Sequence, residues 1–220
     1  MRRPSDRGSA RVVATGKDRR VRSIFPVATA TVVGYLAGSV PSADIATRFA
    51  RSGLSDLRTT GSGNPGAVNA ASVLGRRWGG VVLAADVAKG ALAGTAGRAI
   101  AGSAGAYAGA TAAIAGHIVP VWSGGRGGKG VATSAGACLS VFPAYFPIDA
   151  AVAVVGAART RSAERATQLS CAAWVIASLV WWWRRLPNGW GPPPGPGLPL
   201  FAAFGSAMIL TKFHVTKRPA

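Results

Sequence analysis

Apolar residues dominate seven stretches of the chain, at about 24–40, 78–96, 103–122, 131–142, 144–158, 169–183 and 198–213, and polar connections separate them. The pattern predicts an all-α integral membrane protein, a compact bundle of about seven transmembrane helices, with six possible. Several stretches fall short of the roughly 20 residues that an upright helix needs to cross the hydrocarbon, so some must extend into flanking small residues or be broken. Pro143 and Pro147 make the fourth and fifth stretches hard to separate. Gly and Ala are abundant within the stretches. Small residues let helix backbones approach closely in lipid, where no hydrophobic force drives association, and so predict tight packing.

Composition agrees with a membrane protein. Of the 220 residues, 49% are hydrophobic and 15% charged, and mean hydropathy is positive at +0.29 despite 30 glycines and 14 prolines. The net charge of +18 would suggest nucleic acid in a soluble protein. Here the basic residues fall between apolar stretches, as on the cytoplasmic flanks of membrane spans, and no nucleic-acid partner is expected. Residues 1–23 carry eight Lys or Arg and two Asp among small polar residues, the composition of a disordered basic arm, and 24–220 read as one transmembrane domain. The stretch at 24–40 also resembles a signal-peptide core, but it leads without a break into a functional loop, which favours a retained helix.

Seven spans and an external N-terminus put Arg48, Arg51, Arg58, Arg76, Arg77, Arg126, Lys129, Arg159, Arg161, Arg165, Lys217 and Arg218 inside. Arg98, Arg184 and Arg185 fall outside, which is the expected bias. The basic arm is the exception, and keeping it inside requires one span fewer. Trp181-Trp182-Trp183 before Arg184-Arg185 reads as an interfacial anchor, and Pro192-Pro193-Pro194-Gly195-Pro196 as a stiff extramembrane link. Cys138 and Cys171 lie in apolar stretches without ligand spacing and read as small buried hydrophobes, so neither a metal nor a cofactor is expected.

Chemistry concentrates in two glycine-rich connections, Gly61-Ser62-Gly63-Asn64-Pro65-Gly66 and Gly124-Gly125-Arg126-Gly127-Gly128-Lys129-Gly130. Glycine runs can turn backbone N–H groups around an anion, and a flanking Ser or Lys adds a hydroxyl or a charge. A nucleotide P-loop is excluded, because the positions that need Gly and Ser or Thr are Ser123 and Gly130. Asp86 and Lys89 lie three apart in a span and share a helix face, where a functional path and a structural pair are equally good readings. His117 is a candidate general base because a histidine side chain titrates near neutrality when unperturbed, but orienting the glycine loop or capping a helix is the better reading. Ser39, beside Pro41, reads as satisfying backbone.

These segments resemble the bacterial acyl-phosphate:glycerol-3-phosphate acyltransferases of the PlsY type. The match runs through Gly38-Ser39-Val40-Pro41, Asp56-Leu57-Arg58, Gly61 to Asn69, Leu74-Gly75, Asp86-Val87-Ala88-Lys89-Gly90, Gly116 to Val121, and Gly127 to Thr133, in the family's order and spacing. The resemblance implies acyl transfer from acyl phosphate to the 1-position of glycerol-3-phosphate, giving lysophosphatidate and phosphate in phospholipid biosynthesis. It also implies membrane lipid as a partner and an active site facing the cytoplasm of the bacterial cytoplasmic membrane. By this reading Ser62 and Lys129 are catalytic. Gly61, Gly63, Asn64, Asn69, Gly127, Gly128, Gly130 and Thr133 bind substrate, and Asp86, Lys89, His117 and Arg76 support them. An acyl phosphate is already activated, so no triad or metal is required.

The chain departs from the family in two places. The arginine of the first loop stands here as Ser72, with Arg76 or Arg77 one turn later. The C-terminal His, Asn and Glu set is altered, with Lys212 near the His position and His214 displaced. Two other readings stay open: a catalytically degenerate relative that binds phosphate or lipid headgroups, and a phosphate-coupled transporter. The lack of an internal repeat speaks against the transporter.

Overall fold

A computed structural model describes residues 16–50, 53 and 56–216, and every regular element among them is helical. In chain order the α-helices are α1 Gly16–Ser39, α2 Ser42–Ala50, α3 Ala67–Val73, α4 Arg76–Ile118, α5 Val131–Val141, α6 Phe146–Thr160, α7 Ala163–Arg184 and α8 Gly197–Val215. All seven apolar stretches are helical. Among the described residues, three runs are by themselves long and apolar enough to cross a membrane, Ile24–Ala50, Arg76–Ser123 and Gly197–Val215. With 11 residues, α5 is too short to span alone. Helix α1 opens at Gly16, earlier than the apolar pattern, because its Lys and Arg residues are good helix formers. Residues 1–15 of the expected basic arm lie outside the described residues, as do Arg51, Lys217 and Arg218.

The centre of the bundle is α4. It is two arms rather than one rod, because Ala101 (φ −141°, ψ 29°) and Gly102 (φ 59°, ψ −145°) leave the helical region between them. Gly102 takes a conformation that a side chain rarely adopts, and the chain doubles back there. Small residues then set the contacts. A Cβ on Gly97 would overlap the Gly105 carbonyl, and α1 lies so close to the second arm that one on Gly34 would overlap Gly109. The other face of the first arm receives α5, with Gly136 against the Val87 carbonyl. Sequence and packing thus agree that backbone approach, not bulky side chains, holds these helices together.

Larger side chains fill the space among α4, α5, α7 and α8. Phe142 and Tyr145 stack at 5.1 Å between centroids, and Trp174 meets Phe201 edge-on at 5.0 Å. The tryptophan triple divides its roles. Trp181 turns inward, 5.4 Å from Phe142, while Trp183 is exposed with Arg184 beside its ring. The proline-rich segment is no free link: Asn188 Nδ2 donates to the Pro192 and Val141 carbonyls, and Pro192 is buried. Arg98 donates to the Trp190 carbonyl at this same end, opposite the glycine loops.

Candidate active site

Both glycine loops lie at one end of the bundle, because each connects helices whose ends meet there. Beneath the first loop is a small core of Ala43, Ala46, Leu57, Ala70 and Val82. From α3, Asn69 reaches into the loop and uses its whole amide. Its Oδ1 accepts from the Ser62 N–H (2.9 Å), and its Nδ2 donates to the Leu57 and Thr60 carbonyls (2.9 and 3.0 Å). Arg58 ties this loop to its surroundings. The guanidinium donates to Asp44 on α2 (2.7 Å), to Asp56 (2.9 Å) and, through Nε, to the Arg126 carbonyl of the second loop (2.6 Å). Burial opposes ionisation of Asp56, but the Arg58 backbone N–H, guanidinium and charge outweigh it and hold the carboxyl below the ordinary carboxylate range.

The second loop is held mainly from below. Gly127 donates to the Ile118 carbonyl (3.2 Å), and a Cβ there would overlap the His117 carbonyl. Gly128 rests on the imidazole, since a Cβ on it would overlap His117 Nε2. Gly130 then takes φ 85° and opens α5, which sets Lys129 at the rim with its Nζ 4.2 Å from the Phe213 ring centre on α8.

Between the loops is an open cavity of about 380 Å³. Ser62, Gly63 and Asn64 line one side, Arg126, Gly127 and Lys129 the other, with Arg58, Lys212 and Thr216 completing it. No carboxylate is among the lining residues, and the nearby Asp44 and Asp56 are already engaged by Arg58. Lysines from two separate elements therefore line a space together with the Ser62 and Thr216 hydroxyls and the Asn64 amide. Such a site suits phosphate.

The expected site residues divide into three groups. Ser62, Gly63, Asn64, Gly127 and Lys129 line the cavity. Asp86, Lys89, His117 and Gly128 line a crevice of about 20 Å³ beneath the loops. Gly61, Asn69, Gly130, Thr133 and Arg76 do not line the cavity. Asn69 is consumed by the first loop, and Gly61 abuts its Oδ1. Thr133 is fully buried where α5 meets Gly90, Gly130 serves the start of α5, and Arg76 is exposed at the start of α4. Ser72 Oγ donates to the Asn69 carbonyl.

Three cationic side chains of the cavity, Arg58, Arg126 and Lys212, were not among the expected site residues. Arg58 had a signal in Asp56-Leu57-Arg58, and Lys212 in its place near the family's C-terminal motif. Arg126, inside the second glycine run, had no signal beyond its charge. Among the described residues there is no cluster of three His, Cys, Asp or Glu able to hold a metal ion.

Comparison with known proteins gives this geometry a family. A glycerol-3-phosphate acyltransferase family profile matches residues 28–217. A glycerol-3-phosphate acyltransferase of Thermoanaerobacter sp. (strain X514) is 35% identical over 159 residues, 72% of this chain and 79% of that protein. One from Rhizobium meliloti is 42% identical over 149 residues, 66% of this chain and 70% of its own. The crystal structure of PlsY, an integral membrane glycerol 3-phosphate acyltransferase, in its glycerol 3-phosphate form superposes with a TM-score of 0.71 at 27% identity, covering 88% of this chain and 89% of that one. Its lysophosphatidic acid form gives 0.70 at 25% identity. With the profile spanning most of the sequence and the helices following the same course, the chain belongs to the glycerol-3-phosphate acyltransferase family.

Proposed function

We propose that this protein transfers a fatty acyl group from acyl phosphate to the 1-hydroxyl of glycerol-3-phosphate, releasing phosphate and lysophosphatidate for phospholipid synthesis. The observation that carries this reading is the acid-free cavity in which Ser62 and Asn64 face Lys129 and Lys212. The acceptor hydroxyl adds to the acyl carbonyl, the bond from that carbon to the phosphate oxygen breaks, and the hydroxyl proton passes to a phosphate oxygen. The leaving group is stable, so the protein's task is to hold two anions in register and to stabilise charge on the departing phosphate. Lys129 suits the leaving phosphate, and Lys212 adds the charge for a second.

We place the cavity on the cytoplasmic face of the bacterial inner membrane. Arg48, Arg58, Arg76, Arg77, Arg126 and Lys129 lie at the loop end, with Arg159, Arg161 and Arg165 at the α6–α7 connection. The opposite end carries Arg98, Arg184 and Arg185.

The test is phosphate release from palmitoyl phosphate by purified protein, with and without glycerol-3-phosphate. Release should require glycerol-3-phosphate and should fall about 100-fold or more in Lys129→Ala, the loss expected when a charged transition-state contact is removed. Glycerol-3-phosphate binding without release would instead favour a relative that recognises the ligand and does not turn over.

A further inference from the structure

A buried polar cluster lies beneath the reaction cavity and reaches its second-loop wall through His117. Asp86, 2% exposed, gathers three partners on one oxygen: Ser42 Oγ donates to Oδ1 at 2.8 Å, Lys89 Nζ lies at 2.9 Å and His117 Nδ1 at 3.5 Å. Lys89 also donates to the Val40 carbonyl (3.1 Å), where α1 breaks into α2. Ser39, next to that break, accepts from the Val121 N–H (3.4 Å). The other edge of the His117 ring supports Gly128, and the His117 carbonyl supports Gly127.

We infer that Asp86 and His117 are positioning residues: Asp86 fixes the imidazole, and the imidazole sets the height of Gly127-Gly128-Lys129 over the cavity. The physical case is one of connection. Burying a carboxylate and an ammonium together is costly unless both are well bonded, and breaking the group leaves an uncompensated charge. This cluster bonds the α1–α2 break through Lys89 and Ser42 and packs His117 against the second glycine loop. His117 faces Asp86 with Nδ1 and lies against Gly128 with Nε2. A loop shift of about 1 Å costs on the order of 100-fold in rate when reacting groups must align.

The inference rests on the proposed acyl transfer for its kinetic readout, so a second readout is independent of activity. His117→Ala should lower kcat about 100-fold while KM for glycerol-3-phosphate changes less than about threefold, and His117→Gln, which keeps a polar group toward Asp86 and the loop, should recover most of the loss. Gly128→Ala should slow the enzyme because its methyl overlaps the ring, and adding His117→Ala should slow it no further. Trypsin should cleave after Arg126 and Lys129 faster in folded His117→Ala than in wild type. Multiplying effects in the double variant, unchanged tryptic cleavage, or wild-type kcat in His117→Ala would each overturn the inference. If the wild type shows no Lys129-dependent turnover, the acyl-transfer reading fails and the proteolysis comparison still decides this one.

Discussion

The first glycine loop is suspended by side chains, whereas the second is seated on backbone and a ring. Asn69 makes three bonds to the first loop and Arg58 pins it to α2, and Gly61 makes room for the Asn69 amide oxygen. In the second, Gly127 and Gly128 lie against His117 and Pro120 with no space for even a methyl group. The contrast teaches that similar glycine-rich sequence can encode different tolerances. A loop hung on hydrogen bonds weakens when its anchor is removed, whereas a loop pressed on a rigid floor fails when anything is added.

The largest expected effect breaks the second loop. Gly127→Ala drives a methyl into the His117 and Ile118 carbonyls and the Pro120 ring, none of which can swing away. Turnover should fall at least about 100-fold, the cost of misaligned reacting groups, with the protein still extractable and folded by circular dichroism. Near-normal turnover would show that the seat is soft. Next comes the anchor of the first loop. Asn69→Ala deletes three hydrogen bonds and strands the buried Leu57 carbonyl, which should destabilise the protein by about 2–3 kcal/mol in thermal or denaturant unfolding. Asn69→Asp should not rescue it, because an acceptor then faces two carbonyls.

How much of this was legible in the sequence follows from the same contrast. The helices were readable because their apolar stretches and small residues carry both burial and packing. Both glycine loops, Lys129 and Ser62 were readable because a glycine run flanked by hydroxyl and ammonium groups suits an anion better than it suits a helix. The work of Asn69 was not, since a buried amide that holds a loop and one that holds a ligand look alike along a chain. Nor was the placement of Arg76 outside the cavity lining, since a helix start can lie exposed or turn toward the loops, and Arg76 is exposed. The cationic rim was legible only in pieces, because Arg58, Arg126 and Lys212 come from three distant segments that folding alone brings together.

A smaller effect sharpens the comparison on the α8 side, which neither loop controls. Lys212 lines the cavity without a carboxylate there to neutralise it, so Lys212→Ala should raise KM for glycerol-3-phosphate about tenfold, equivalent to about 1.4 kcal/mol, and Lys212→Arg should keep most of the affinity. A kcat loss at constant KM would move Lys212 from holding a ligand to assisting its reaction.

The smallest expected effect tests the ionic part of the first loop's suspension. Asp56 has its carboxyl held below the ordinary range by Arg58, so the unfolded chain binds its proton more readily than the folded protein does. Its contribution to stability is therefore complete above the ordinary carboxylate pKa of about 4 and is lost as pH falls through the lower folded value. Unfolding midpoints followed from pH 6 downward should drop more steeply in wild type than in Asp56→Asn, which lacks that proton. The second loop carries no carboxylate of its own, and the acid nearest its seat, Asp86, lies buried beneath His117. Parallel midpoint curves would mean that Asp44 alone supplies the anchoring charge for Arg58, and that the first loop hangs from α2 rather than from its own acid.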